Sequence, residues 1–175
     1  MMQRITNCAT VLLLMLGLAT SAYSQSSDDN ELYNWIEELT LSESATEKAA
    51  VCEKMATYYA AENAFLKAAD YSIQSADFYQ AENNPQKGLI QMEQAGGFQL
   101  KAGESEKAID TYKKALEASK AQGNSTTEAR VAGKLATLFV QKKDYPTALE
   151  YINQQLTLLG NAGSLESASA LNNQG

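Results

Sequence analysis

The sequence predicts an all-α fold, a right-handed superhelical stack of antiparallel helix pairs, and three observations predict it. The chain is rich in alanine and has two prolines in 175 residues, a composition that favours helix over strand. Apolar residues recur at i, i+3, i+4 and i+7, the signature of one buried helix face. The whole pattern then returns every 40 residues, so that Ala68, Ala108 and Ala148 are equivalent. A fixed period of this length marks a stack of small helical units, each unable to bury its apolar face alone.

The first element is a targeting segment. Arg4 gives a positive start, Val11–Ala19 is a short apolar run, and Ala22-Tyr23-Ser24 places small residues before Gln25. This is the layout of a cleaved signal peptide over 1–24, and the run is shorter than the ~20 apolar residues of a spanning helix. The expected location is therefore outside the cytoplasm, periplasmic or extracellular. Residues 25–43 follow as a polar lead-in and an N-terminal capping helix near 28–41, with Leu32, Trp35, Ile36 and Leu39 on one face. In the 40-residue register Leu32 falls with Ser72, Tyr112 and Ile152, so this helix resembles the second half of an earlier unit.

Three units are expected next, over 44–83, 84–123 and 124–163. Their helices are placed near 45–61 and 64–80, 85–100 and 104–121, and 125–141 and 145–159. Ser44, Asn84, Asn124 and Ser164 recur at the same spacing and are all residues that cap helix N-termini. Ser44–Glu47 and Ser125–Glu128 have capping-box spacing. Asn83, Gly123 and Gly163 stand one residue earlier, where a left-handed residue ends a helix. Ala56, Gly96 and Ala136 on the first helices, with Ala68, Ala108 and Ala148 on the second, are small enough for close approach. Residues 164–175 read as the start of a truncated fourth unit, a helix from Ser164 onward. That reading expects the parent chain to continue beyond Gly175, with an uncapped C-terminal end where the apolar flank of Leu156 and Leu159 is available for self-association.

The residues Leu135, Ala136, Phe139, Tyr145, Ala148, Leu149 and Leu156, with Ala108, Ile109, Tyr112, Ala115 and Leu116, resemble the tetratricopeptide repeat (TPR) family. The match is to its long-period type of about 40 residues. The resemblance is weakest in the first helix of the second unit, where Gln99 occupies the expected aromatic position. It implies a TPR-like α-solenoid and a non-catalytic scaffold that binds a protein or peptide segment. Export followed by long-period repeats also resembles the extracytoplasmic region of bacterial TPR-containing sensor histidine kinases and related signalling proteins. That likeness implies the alternative of a sensory or assembly region whose membrane span and output domain lie beyond Gly175.

The chain contains no histidine, which removes Ser-His-Asp and Cys-His nucleophile systems and the commonest metal ligand. It has no Cys-x-x-Cys and no phosphate-binding loop; Gly96-Gly97 fits close helix packing better. Glu53, Glu93 and Glu104 are acidic but converge on no nucleophile. The expectation is no enzyme, no metal and no cofactor. Cys8 belongs to the signal segment, and Cys52 is expected as a small buried core residue. Asn124-Ser125-Thr126 has the form of a glycosylation sequon, and helix capping is the preferred reading. A formal net charge of −7 argues against nucleic acid and against membrane contact by the repeats.

In stacked pairs the first helices line the concave side. Its outward residues would be Glu53, Lys54, Thr57, Glu93, Gln94, Gly97, Arg130, Lys134, Thr137 and Gln141. Gln94, Arg130 and Lys134 are similar to part of the clamp with which some tetratricopeptide domains hold a peptide carboxylate. Glu53 and Thr57 stand where the other half of that clamp wants Lys and Asn. The expected ligand is a polar peptide or protein segment.

Overall fold

The computed structural model describes residues 27–172, with side chains described from Asn30 to Gly160. The expected signal segment 1–24 lies outside the described residues, as do residues 173–175. Among the described residues there are seven helices and no strand: α1 (Ser27–Leu41), α2 (Ala45–Ala61), α3 (Phe65–Ala81), α4 (Pro85–Lys101), α5 (Ser105–Ala121), α6 (Ser125–Gln141) and α7 (Tyr145–Asn172). The chain divides into two units at Asn34/Trp35, and the helix pairs lie in the second. Within it each helix from α2 to α7 packs on the next in series. The fold is an all-α solenoid of antiparallel helix pairs.

The turns between helices recur at half the spacing of the repeat seen in the sequence. Each helix from α2 to α6 has 17 residues, about 25 Å. Each is closed by the same turn. Asn63, Asn83, Gly103, Gly123 and Lys143 all take positive φ, between 53° and 82°. After each helix the next two amides turn back in the same way: Asn63 N donates to Ala60 O and Ala64 N to Tyr59 O, and the pattern repeats at Gly103/Glu104 and Lys143/Asp144. This double bond satisfies carbonyls that a helix end would orphan. Asn83 and Gly123 were legible as stop residues. Asn63, Gly103 and Lys143 fall halfway between them, so the turn, though not the helix pair, recurs every 20 residues.

N-terminal caps follow the sequence at three of the four expected places. Ser44, Asn84 and Asn124 accept from the amides of Glu47, Lys87 and Thr127 at 3.3, 3.4 and 3.1 Å. Asp144 does the same for Thr147. The box at Ser44 is indirect: Glu47 accepts from the Ser42 hydroxyl at 2.6 Å, and that hydroxyl accepts from Ser44 N at 3.1 Å. No box forms at Ser125, because Asn124 is the cap and Glu128 turns inward to accept from Gln154 at 2.9 Å.

The expected break at 160–163 is absent. α7 runs unbroken for 28 residues from Tyr145 to Asn172, so Gly163 ends no helix and Ser164 caps none. Glycine permits a left-handed turn without compelling one. At residue 123 the reversal is rewarded because α6 then buries Val131, Leu135 and Phe139. Residues 164–172 hold only Leu165 and Leu171 as large apolar side chains, too few to reward a fold-back. About 1 kcal/mol per glycine is the smaller cost, and the helix continues.

The equivalences of the 40-residue register hold in the core. Ala68, Ala108 and Ala148 are 0, 0 and 2% exposed. Ala56 and Ala136 are buried, and at Gly96 a Cβ would lie 2.6 Å from the Tyr112 ring. Tyr112 anchors the main apolar cluster, with Ile109, Val131, Leu135, Leu138 and Phe139 around it. At the other end Trp35 of α1 meets Tyr58 edge-on at 6.0 Å, Tyr58 meets Tyr59 at 5.3 Å, and Tyr59 stacks on Tyr71 at 5.4 Å. Lys67 lies 4.9 Å over Tyr59, adding a cation to the ring face. Cys52 is fully buried and free, and burial pushes its thiol up to about 11.

Candidate functional site

The first helix of each pair carries an outward stripe at i, i+3, i+4, i+7 and i+8, offset by 40 residues from the next. On α2 it is Ala50, Glu53, Lys54, Thr57, Tyr58 and Ala61. On α4 it is Ile90, Glu93, Gln94, Gly97, Phe98 and Lys101. On α6 it includes Arg130, Lys134, Thr137 and Gln141. The structure brings the three stripes side by side, since one cleft joins α2 to α4 and one ion-pair group joins α4 to α6.

Two clefts meet at Thr57. The larger, about 570 Å³, is walled by Trp35 and Tyr58, floored by Ala50 and Ala61, and edged by Glu53, Lys54 and Thr57. The smaller, about 260 Å³, lies between Thr57 and Ala60 on α2 and Gln94, Gly97, Phe98 and Lys101 on α4. Small residues make both hollows, because Ala60, Ala61 and Gly97 leave room that a longer side chain would fill. The Lys101 ammonium stands 5.8 Å over Phe98 and 5.4 Å over Phe65, which fixes a positive charge at the rim. Ile90, 48% exposed, extends the apolar surface along α4.

The charged end of the face is largely self-neutralised. Arg130 Nε donates to both carboxylate oxygens of Glu93 at 2.9 and 2.8 Å, and its Nη2 reaches Oε2 at 2.6 Å. Lys134 Nζ lies 3.5 Å from Glu93 Oε1. The Glu93 side chain is only 14% exposed, whereas Arg130 and Lys134 are 49% and 40% exposed. A carboxylate of the protein thus stands between the two cations that the clamp resemblance would give to a ligand. Lys54 is engaged by Glu38 at 3.7 Å. Glu53 contacts Tyr79, whose hydroxyl is pushed up to about 12 first by burial and then by that carboxylate. Tyr112 is raised to about 12 by burial and secondarily by Glu93.

Of the residues named from sequence, Glu53, Lys54, Thr57, Gln94 and Gly97 line the clefts, and Glu93, Arg130 and Lys134 form the ion group. Thr137 donates its hydroxyl to Gly133 O at 3.0 Å within its own helix, and Gln141 is exposed at the end of α6. Trp35, Tyr58, Phe98 and Lys101 were missed. Extending the helical stripe by one turn from Gln94 reaches Phe98 and by two turns Lys101, and one turn from Lys54 reaches Tyr58. Trp35 required the packing of α1 and was not accessible to periodicity.

Among the described residues no group of His, Cys, Asp and Glu is arranged to hold a metal ion, and no helix is long and apolar enough to cross a membrane. A search of curated proteins gives no match. A tetratricopeptide repeat family model matches residues 87–161, which take in α4, α5, α6 and the first part of α7. Such repeats typically serve as non-catalytic surfaces for protein–protein interaction. That match and the helices from α2 to α7 packed in series support a tetratricopeptide-type repeat protein.

Proposed function

We propose that the chain is a non-catalytic scaffold, built of repeats at 44–83, 84–123 and 124–163, that holds a protein or peptide segment along the face made by α2, α4 and α6. The pair of adjoining clefts meeting at Thr57 carries this reading. Together they offer two apolar hollows in line, one walled by Trp35 and Tyr58 and one by Phe98. Apolar hollows with a few polar edges are what a peptide needs for anchoring and orientation. The segment that fits adds two apolar or aromatic anchor residues to the polar peptide or protein segment expected from sequence. Its affinity for the Arg130–Lys134 end is tempered by Glu93, so a terminal carboxylate is not the main determinant.

The leader-like residues 1–24 support action outside the cytoplasm. N-terminal sequencing of the exported protein tests this: a chain beginning at Gln25 supports it, and Met1 retained in a soluble product refutes it.

The binding reading is tested by selecting peptides from a displayed random library on the purified chain. Selected peptides should carry paired apolar residues. They should lose most of their affinity for Trp35→Ala and Gly97→Gln, and keep it for Lys114→Ala on α5. Peptides that bind both variants as tightly as the parent chain would place the ligand elsewhere.

A further inference from the structure

α7 has two unlike faces. Toward α6 it turns Ala148, which is 2% exposed, Tyr151, stacked on Phe139 at 5.6 Å, and Gln155, whose amide lies over Gly133. The adjoining solvent-facing side carries Tyr145, Leu149, Ile152, Leu156 and Leu159, exposed by 62, 57, 36, 60 and 52%. Their spacing alternates four and three, the seam of a two-stranded coiled coil rather than the wider stripe of a helix sunk in a core. Among the described residues of α2 to α6, exposed large apolar side chains occur singly, as Leu66, Ile90 and Val140. A continuous exposed run of this kind marks an interaction surface.

We propose that this face pairs with the same face of a second copy of the chain, antiparallel, about a two-fold axis passing beside Ile152. The register is one reason. Reversed end to end, the series returns on itself: Ile152 meets Ile152 of the second copy, Tyr145 meets Leu159, and Leu149 meets Leu156 within one residue. An isologous contact requires this self-complementarity. Charge is the other reason. The chain carries −7, yet the exposed residues flanking the seam, Asn153 and Gly160, are neutral, and on its other side Ala148 and Gln155 lie against α6. Glu150 is the sole ionic group of α7 up to Gly160. Flanking positions are where charges ordinarily select a coiled-coil partner. Neutral flanks spare two copies of an acidic chain their mutual repulsion, and they offer a charged partner no attraction. Five half-exposed large side chains on each copy would bury roughly 1,000 Å² in total, the lower end for a specific interface, so the dimer is reversible.

Sedimentation of the full chain from about 1 to about 200 μM, bracketing the affinities of small interfaces, tests the proposal. The expected result is a reversible dimer that Ile152→Glu with Leu156→Glu weakens at least ~30-fold, with the helical circular dichroism unchanged. Geometry is read separately by oxidation. Ile152→Cys should crosslink to itself, and Leu149→Cys should link to Leu156→Cys in a mixture faster than either links to itself. Cys52 is buried, and Cys8 is replaced by serine so that it does not compete. A chain monomeric across the whole range, a dimer indifferent to the double charge substitution, or a Leu149→Cys variant that links chiefly to itself would each overturn the proposal.

Discussion

Gly96 and Gly97 are neighbours in α4, and substituting each with alanine should move stability in opposite directions. In a helix interior Gly→Ala ordinarily stabilises by about 1 kcal/mol, through propensity and a less flexible unfolded chain. At Gly97 the added Cβ would lie 3.8 Å from the Tyr112 hydroxyl, an ordinary contact, so the full gain of ~0.5–1 kcal/mol is expected. At Gly96 the same atom would lie 2.6, 2.7 and 2.9 Å from three ring carbons of Tyr112. Carbon atoms rest near 3.5–4.0 Å, so the overlap is about 1 Å on each of three atoms. The ring cannot swing aside, since Tyr112 is 1% exposed and enclosed by Val131, Leu135 and the rest of the main cluster. Overpacking of this kind costs ~1–3 kcal/mol and exceeds the propensity gain. Gly96→Ala should therefore be net destabilised by about 1–2 kcal/mol. That difference is read as a lower urea midpoint with unchanged slope. Adding Tyr112→Leu should make Gly96→Ala neutral or favourable in that background, because the clash is gone. Gly96→Ala as stable as the parent chain, or the same sign for both glycines, would show that Tyr112 does not seat on Gly96 and that the register between α4 and α5 is wrong.

Two buried serines of α3 give a second contrast. Ser75 donates to Ala49 O across the helix pair at 2.9 Å, whereas Ser72 Oγ is buried without a partner; Ser75→Ala should cost ~1 kcal/mol and Ser72→Ala should be neutral or stabilising by chemical denaturation. Ala108→Leu should overpack a fully buried site and cost ~1–3 kcal/mol. Stability should fall at high pH. The folded pKa values of Cys52, Tyr79 and Tyr112 lie above their unfolded values of 9, 10 and 10, so the folded state binds more protons there. The stability midpoint should thus be level near neutrality and decline from about pH 9 upward, first through Cys52 and then through the tyrosines; a midpoint that rises between pH 9 and 11 contradicts this. Arg130→Ala should cost ~0.5–1 kcal/mol, more than Lys134→Ala, because it makes the close paired contacts to the mostly buried Glu93 while both cations remain half exposed to screening.

Periodicity made most of the fold legible because a solenoid repeats its physics. Ala68, Ala108 and Ala148 are small for the same reason three times over, and Asn84 and Asn124 cap equivalent helices. The turns at Asn63 and Lys143 were harder to read. A left-handed residue there need not be glycine when the double hydrogen bond of the turn and the returning helix hold it in place. The break at 160–163 misled for the converse reason: Gly163 allows a turn, but only burial by a returning helix makes one worthwhile. The face of α2, α4 and α6 was half legible. Thr57 and Gln94 follow from helical geometry alone. Whether Arg130 and Lys134 are available to a ligand depended on where one carboxylate across the groove would go, and no spacing rule says that Glu93 turns to α6. Trp35 was seen only as an apolar residue on a capping helix, since its role depends on a cleft formed with Tyr58 of the next one.

Trp35 is the single tryptophan of the chain and stands in the wall of the larger cleft. The most direct test of the account combines its indole resonance with the backbone amides in a two-dimensional NMR titration of the labelled chain with a selected peptide. The account predicts that the Trp35 indole, Thr57, Gln94, Gly97 and Lys101 shift together and saturate at one peptide concentration, while α3 and α5 stay unmoved. Shifts concentrated on Asp77, Lys114 and Glu117 of α3 and α5, with Trp35 unchanged, would contradict it.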